Sequence, residues 1–123
     1  MYDKALVADS LQNIEESLLE ILDWTEKIRS VDDFVSSPDG MMMLNAVCMK
    51  LIAVGEEIKN IDKRSDKTLL CRYPEIDWRK AMKMRDVIVH HYFEIDAAVV
   101  FQTLRVDIIP LLAAISLIRK DLT

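Results

Sequence analysis

The sequence predicts an all-α protein, an antiparallel four-helix bundle of the up-and-down kind, built as a single domain over residues 1–123. The chain has only two glycines and three prolines, whereas a sandwich or barrel needs a turn roughly every 8 to 12 residues. Hydrophobic residues make up 51% of the chain, which is enough for a core without disulfides or a structural metal. They recur every three or four positions, the spacing of helices that bury one face.

Each predicted helix presents one apolar stripe. The stripe of the first helix begins at Leu6, and that of the third contains Trp78, Ala81, Met84 and Ile88. Asp77 and Asp96 are good N-cap residues for the third and fourth helices. Pro110 is expected to kink the fourth helix, since proline has no backbone N–H to donate. The predicted ranges are 6–28, 41–62, 78–90 and 97–121.

The links also carry structural signals. Residues 30–40 gather Ser, Asp, Pro and Gly, which breaks the helical period, yet Phe34 and Val35 are expected to pack against the core. The connector 64–76 is expected to contain one short extra helical turn around 67–71. Tyr73 precedes a proline, which favours extended backbone before the third helix.

The N-terminal residues carry acids where a secretory signal needs basic residues and an apolar run. The apolar runs are shorter than the roughly 18 uninterrupted residues of a membrane span. We therefore expect a cytoplasmic protein with no membrane partner. Cys48 and Cys71 are predicted to be reduced thiols, with Cys48 buried.

Charge is uneven along the chain, although the formal net charge is −5. Residues 1–58 hold 4 basic and 12 acidic side chains, whereas residues 59–91 hold 9 basic and 5 acidic ones. The overall acidity argues against general nucleic-acid affinity, and DNA is not expected as a partner. Only the middle segment is suited to face phosphate, and an ordinary solvated surface explains its charge equally well.

Several chemistries are excluded by residue type and spacing. Gly40 and Gly55 stand 15 positions apart and cannot build a glycine-rich phosphate loop. A di-iron bundle needs Glu-x-x-His on two helices, but Val87 and Ile88 occupy the positions three before the histidines. No metal site and no cofactor are expected.

The segment M-R-D-V-I-V-H-H-Y-F, residues 84–93, remains as the candidate site because a basic tract there meets both histidines of the chain. On a regular helix, Arg85 and His90 would lie about 140° apart, so one copy makes an incomplete site. A two-fold homodimer would complete the site with a second arginine and a second histidine, since an isologous interface duplicates every group across its axis.

R-D-V-I-V-H-H-Y resembles the Arg-x4-His-x-Tyr signature of the HepT-like ribonuclease toxins within the HEPN (higher eukaryotes and prokaryotes nucleotide-binding) domain family. The blocks Y-P-E-I-D-W (73–78), H-Y-F-E-I-D (91–96) and D-I-I-P-L-L (107–112) are also similar to that subfamily, in the same order. The resemblance extends from about residue 44 to residue 115. One departure is G-E-E-I-K-N (55–60), where similar proteins often have a Gly-Glu-Ala run.

The resemblance implies a HEPN-like homodimeric bundle that cleaves RNA without metal and acts as the toxin of a toxin–antitoxin pair. It gives Arg85 and His90 the catalytic roles and implies that a cognate minimal nucleotidyltransferase, the antitoxin, transfers AMP to Tyr92. Asp86 is the polar residue that directly follows the arginine, and we interpret it as a supporting residue that orients Arg85 or caps the motif.

Alternatives remain open at each of these positions. The spacing Arg85-x5-His91 also fits the looser HEPN pattern, although only His90 leaves Tyr92 two residues on. Tyr92 is alternatively a buried anchor of the helix end. The whole chain is alternatively a non-catalytic module that binds a nucleotidyltransferase and positions its substrate, or a structural dimer.

Overall fold

Helices account for most of the computed structural model, which describes residues 2–91 and 94–123. α1 packs against α3 and α7, and α3 also packs against α4 and α5, so the architecture is the all-α helical bundle that the sequence predicts. Two short antiparallel strands, β1 (Val89–His91) and β2 (Glu94–Ile95), separate α5 from α6. The helices are α1 (Lys4–Trp24), α2 (Asp32–Val35), α3 (Pro38–Arg64), α4 (Trp78–Met82), α5 (Met84–Ile88), α6 (Ala97–Gln102) and α7 (Ile108–Leu122).

The first helix begins and ends at identifiable polar contacts. The Asp3 carboxylate accepts hydrogen bonds from the amides of Ala5 and Leu6, which caps the N-terminus. α1 ends at Trp24, four residues before the predicted end, and Leu6 is exposed rather than inward. Fully burying each inward side chain is worth about 1.5–3 kcal/mol. Those side chains are Val7, Leu11, Ile14, Leu18 and Ile21.

The link between the first two long helices lies earlier in the chain than predicted, at residues 25–37, and it contains α2. Ser37 caps α3 by accepting from the Gly40 amide, and Pro38 occupies the first helical turn, so the helix starts three residues before position 41. Phe34 is fully buried, as predicted. Val35 is exposed, so the prediction that it packs against the core is wrong.

The predicted extra turn in the connector is confirmed as a 3₁₀ turn at Leu70–Arg72. Tyr73 follows this turn and forms two hydrogen bonds. Its carbonyl accepts from Trp78 Nε1 at 2.8 Å, and its hydroxyl donates to Asp121 Oδ2 at 2.7 Å. Burial, and then the hydrogen bond to Asp121, raise the pKa of Tyr73 to about 12. The phenol therefore stays protonated at physiological pH and ties the connector to α7.

The third predicted helix, 78–90, is not continuous. It is interrupted at Lys83 and ends at Ile88, after which Val89 adopts extended backbone angles, φ −120° and ψ 114°. Three consecutive β-branched residues, 87–89, lower helix propensity at this end and suit a strand. The inward positions were nevertheless predicted correctly, since Trp78, Ala81, Met84 and Ile88 are all buried.

Gly55 allows α3 to approach the junction of α4 and α5. A Cβ placed there would lie 2.8 Å from the Ala81 carbonyl oxygen and 3.0 Å from Met84 Cβ. Both distances are below ordinary van der Waals contact, and one atom belongs to the backbone. Only glycine fits without a shift of the segment that leads into residues 84–90.

The fourth predicted helix, 97–121, consists of α6, the π-helical segment Thr103–Asp107 and α7. Pro110 has no N–H to donate to the carbonyl of Val106, four residues earlier. The hydrogen-bonding pattern changes at that earlier turn, where the wider π-helical segment replaces the regular helix. By length and composition alone, Ala97–Leu122 is apolar enough to cross a membrane, which is weak evidence because core helices pass the same test. Its inward face here includes Ile108, Ile115 and Ile118, each fully buried.

We expect Gly55→Ala to lower the free energy of unfolding. Alanine normally favours a helix over glycine by about 1 kcal/mol, but overpacking against the Ala81 carbonyl costs about 1–3 kcal/mol. Urea unfolding followed by circular dichroism measures the net effect. Asn60→Ala, at an exposed position of the same helix, is the matched control and should not destabilise. A Gly55→Ala protein as stable as the wild type would contradict the close approach.

Candidate functional site

A short hairpin, rather than a helix end, carries the histidines. Val89 pairs with Ile95 and His91 with Glu94, with an irregularity in the β1 strand between Val89 and His91, where His90 lies. The Asp96 amide donates to the Ile88 carbonyl at 2.8 Å, which closes the hairpin directly against the end of α5. The separation of about 140° expected for Arg85 and His90 on one regular helix therefore does not apply, because α5 ends at Ile88 and His90 belongs to β1.

His90 is paired with Asp96. The His90 Nε2 atom lies 2.9 Å from Asp96 Oδ2, and the side chains are 53% and 28% exposed, respectively. The other carboxylate oxygen, Oδ1, accepts from the Val99 amide at 3.0 Å and caps α6. One carboxylate thus binds the imidazole and the helix N-terminus together, while the imidazole stays accessible from solvent.

These contacts stabilise the ionised form of Asp96. The hydrogen bond from His90 is the largest cause that lowers the pKa of the Asp96 carboxyl, followed by the hydrogen bond from the Val99 amide, while burial acts in the opposite direction. A carboxyl pKa below the ordinary 3.8 means that the unfolded chain takes up the proton first on acidification. The stability contributed by Asp96 is therefore complete above about pH 4 and is lost as pH falls through the folded-state pKa.

Arg85 and Asp86 lie on α5, immediately before the hairpin, and both are exposed. In residues 2–91 and 94–123, neither side chain forms a hydrogen bond or an ion pair. Arg85 ends a run, 79–85, that contains four exposed basic residues and no acidic one. Lys80 of this run pairs with Asp107 at 3.3 Å, whereas the guanidinium of Arg85 has no carboxylate partner in the described part of the chain.

Two of the predicted site residues are not described in full. Tyr92 lies outside the described residues, and the side chain of His91 is likewise not described, although its backbone belongs to β1. The predicted roles of Tyr92 and His91 therefore stay predictions. The structure does place Arg85 and His90 on adjacent elements, α5 and β1, with both side chains exposed.

Sequence reasoning missed the partner of His90. Asp96 was assigned only the N-cap of the fourth helix, and that role is confirmed. The signal was present in the sequence, because the β-branched residues 87–89 favour a strand just before the histidines, and Asp96 ends the block H-Y-F-E-I-D. Recognising it required the hairpin, because six positions along a helix would not bring the two side chains together.

A cleft of about 290 Å³ lies beside α4 and α7. Its walls are mainly apolar and include Ile76, Met84, Val106 and Leu111, with Lys80 and Asp107 at one side. His90 and Asp96 do not line it. Among the described residues, no three His, Cys, Asp or Glu side chains are grouped as metal ligands would be.

The fold and the site define a class: an all-α bundle in which a short hairpin presents a solvent-accessible, carboxylate-paired histidine. The helix directly before it carries an exposed arginine with no partner among the described residues. The "Ribonuclease HepT-like" family model matches residues 14–118. The chain belongs to the HepT-like ribonuclease family.

Individual relatives agree with this assignment. The "Probable ribonuclease HepT" of Thermococcus cleftensis is 32% identical over 112 residues, which cover 91% of this chain and 94% of the relative. A Methanocaldococcus jannaschii protein described as a "Putative RNase" is 28% identical over 91 residues, covering 74% of this chain and 69% of the relative. No solved structure gives a significant match.

We expect His90→Asn to raise the pKa of the Asp96 carboxyl relative to wild type. The variant removes the largest cause of the lowered value and leaves the Val99 amide in place. NMR titration of the Asp96 carboxyl carbon between pH 2 and 6 measures the change. Asp77, which caps α4 through the Lys80 amide and has no histidine partner, is the reference signal and should titrate alike in both proteins. An unchanged Asp96 titration would show that His90 is not its partner in solution.

Proposed function

We propose that this protein is a metal-independent endoribonuclease whose catalytic residues are Arg85 and His90. The observation that carries the proposal is a pair of groups on adjacent elements: an accessible imidazole held by a carboxylate, and a guanidinium on the preceding helix that has no partner in residues 2–91 and 94–123. Membership of a ribonuclease family supports RNA as the substrate class.

The chemistry needs only groups of these kinds. A base takes the proton of the RNA 2′-hydroxyl, and the 2′-oxygen then attacks the adjacent phosphorus. The bond from phosphorus to the 5′-oxygen breaks, and an acid protonates that oxygen, leaving a 2′,3′-cyclic phosphate and a 5′-hydroxyl. Histidine titrates near working pH and suits the base or the acid role. The planar guanidinium of Arg85 is suited to the charge that develops on phosphate.

One imidazole cannot serve as base and acid in the same step, so the proposal includes a homodimer. A two-fold axis near the hairpin would bring a second His90 and a second Arg85 to one phosphate. Apolar side chains exposed on the long helices offer surface for such an interface. They include Met42, Met49, Ile109 and Leu117.

In the cell, we propose that the protein is the cytoplasmic toxin of a toxin–antitoxin pair, with a minimal nucleotidyltransferase as antitoxin. That partner would join the Tyr92 hydroxyl oxygen to the α-phosphorus of ATP and release pyrophosphate. The product is a phosphodiester with one negative charge and an added nucleoside. Both the charge and the volume would oppose RNA phosphate binding near His90. The support for this step is the Arg-x4-His-x-Tyr motif itself.

We expect RNA cleavage to persist in excess chelator and to fall about a hundredfold or more in Arg85→Ala and in His90→Ala, since each variant removes a group used in the transition state. The rate of cleavage is measured by gel analysis of labelled RNA. In size-exclusion chromatography, the fraction that cleaves RNA should have twice the mass of one chain, as measured by light scattering. Arg79→Ala is the matched control, because Arg79 is another exposed arginine of the same basic run, and it should retain most activity.

Other outcomes would redirect the assignment. Loss of cleavage in chelator would exclude the proposed mechanism. Loss in His91→Ala with full activity in His90→Ala would move the catalytic role by one residue. A dimeric wild-type protein that cleaves no RNA but binds a nucleotidyltransferase would favour the non-catalytic module.

We expect incubation with ATP and the cognate nucleotidyltransferase to add the mass of AMP to wild type but not to Tyr92→Phe, because the variant lacks the attacking oxygen. Intact-mass and peptide mass spectrometry measure the adduct. Tyr2→Phe, which keeps Tyr92, is the control and should be modified normally. Equal modification of Tyr92→Phe, or full RNA cleavage by the modified wild type, would contradict the proposed regulation.

A further inference from the structure

We propose that Asp96 is the positioning residue of the site, holding His90 so that Nε2 binds the carboxylate and Nδ1 is the atom that exchanges protons with RNA. The inference rests on the proposed function. It is separate from the motif-based expectation, in which Asp86 orients Arg85 or caps the motif.

Asp96 is itself held firmly enough to orient a ring. Its amide donates to the Ile88 carbonyl at 2.8 Å, and its carbonyl accepts from the Val100 amide at 3.0 Å. Its Oδ1 atom accepts from the Val99 amide, which leaves Oδ2 for His90. Rotating the carboxylate away from the imidazole would also break the cap of α6, so the oxygen that faces His90 is fixed by the backbone.

The pairing selects one form of the neutral histidine. An ionised carboxylate only accepts hydrogen bonds, so Nε2 must carry the proton. Nδ1 then holds the lone pair and acts as the base, or carries the proton when the ring acts as an acid. Because the His90 side chain is 53% exposed, the ring remains reachable by a substrate.

In the part of the chain that the structure describes, the His90 ring is bonded to Asp96 and to no other charged group. The other titratable residues on α5, β1 and β2 are Arg85, Asp86, His91 and Glu94, and α6 has none. Of the carboxylates among them, Asp86 forms no hydrogen bond or ion pair in the described chain. The carboxylate of Asp96 is the one at hydrogen-bonding distance from the His90 ring.

The test separates the two tasks of Asp96 by substitution. Asparagine and serine both cap helices well, so Asp96→Asn and Asp96→Ser preserve the cap of α6 but remove the charged acceptor, and serine is too short to reach the ring. Asp77→Asn is the matched control, since Asp77 caps α4 through the Lys80 amide and touches no histidine.

We expect Asp96→Asn and Asp96→Ser to lower kcat for RNA cleavage by about ten- to a hundredfold with little change in KM, because the ring is misoriented while RNA binding groups remain. Asp77→Asn should keep wild-type kcat, and thermal unfolding should show all three variants folded. ¹⁵N NMR of the imidazole should show Nε2–H as the main neutral form in wild type and a mixture in both Asp96 variants, with the His90 signals assigned by their loss in His90→Asn.

The outcomes distinguish this inference from the proposed function. If wild type cleaves no RNA, the ribonuclease proposal fails, while the NMR comparison still tests the pairing. Wild-type kcat in both Asp96 variants, or an unchanged ¹⁵N pattern in both, would overturn the positioning role. A parallel loss of kcat in Asp77→Asn would show that helix capping, and not the histidine contact, explains the effect.

Discussion

The arrangement of the candidate site depends on one constraint, the closure of the chain between Ile88 and Asp96. A backbone hydrogen bond from the Asp96 amide to the Ile88 carbonyl joins the last residue of α5 to the residue that caps α6. Of the intervening residues, 89–91 and 94–95 leave the helical conformation and form the two paired strands. The carboxylate at the closing position then stabilises the new helix and meets the imidazole, so fold and site share the same residue.

The backbone at Ile88, where this hydrogen bond ends, is held in place by packing in the core. Ile88 is fully buried, and Met84, one turn earlier, lies against Gly55 of α3. The hairpin therefore starts from a fixed backbone position rather than from a loose loop. Arg85, on the opposite side of that turn from the core, is exposed and has no carboxylate partner among the described residues. A guanidinium that carries no structural ion pair is free to bind an external anion.

The helical period predicted buried faces well because burial depends on spacing: Trp78, Ala81, Met84 and Ile88 are inward even though the helix is interrupted at Lys83. What spacing could not predict is where that helix ends, since termination depends on the pairing of Val89 with Ile95 and on the hydrogen bond that the Asp96 amide donates to the Ile88 carbonyl. The His90–Asp96 contact was missed for the same reason. The capping role of Asp96 depends on residues next to it in the sequence, so it was predicted. Its contact with the His90 ring depends on the pairing of β1 with β2, which the spacing does not show.

The packing of α1 against α7 makes assembly of this fold depend on the order of synthesis. Glu15 accepts hydrogen bonds from Ser116 and Arg119, about a hundred positions later, and the apolar face of α1 is covered partly by α7. While the chain is being made, α1, α3 and the hairpin leave the ribosome before α7 does. The packing of α7 on α1, and with it the full core of the bundle, thus forms only after the residues of the site have all been synthesised.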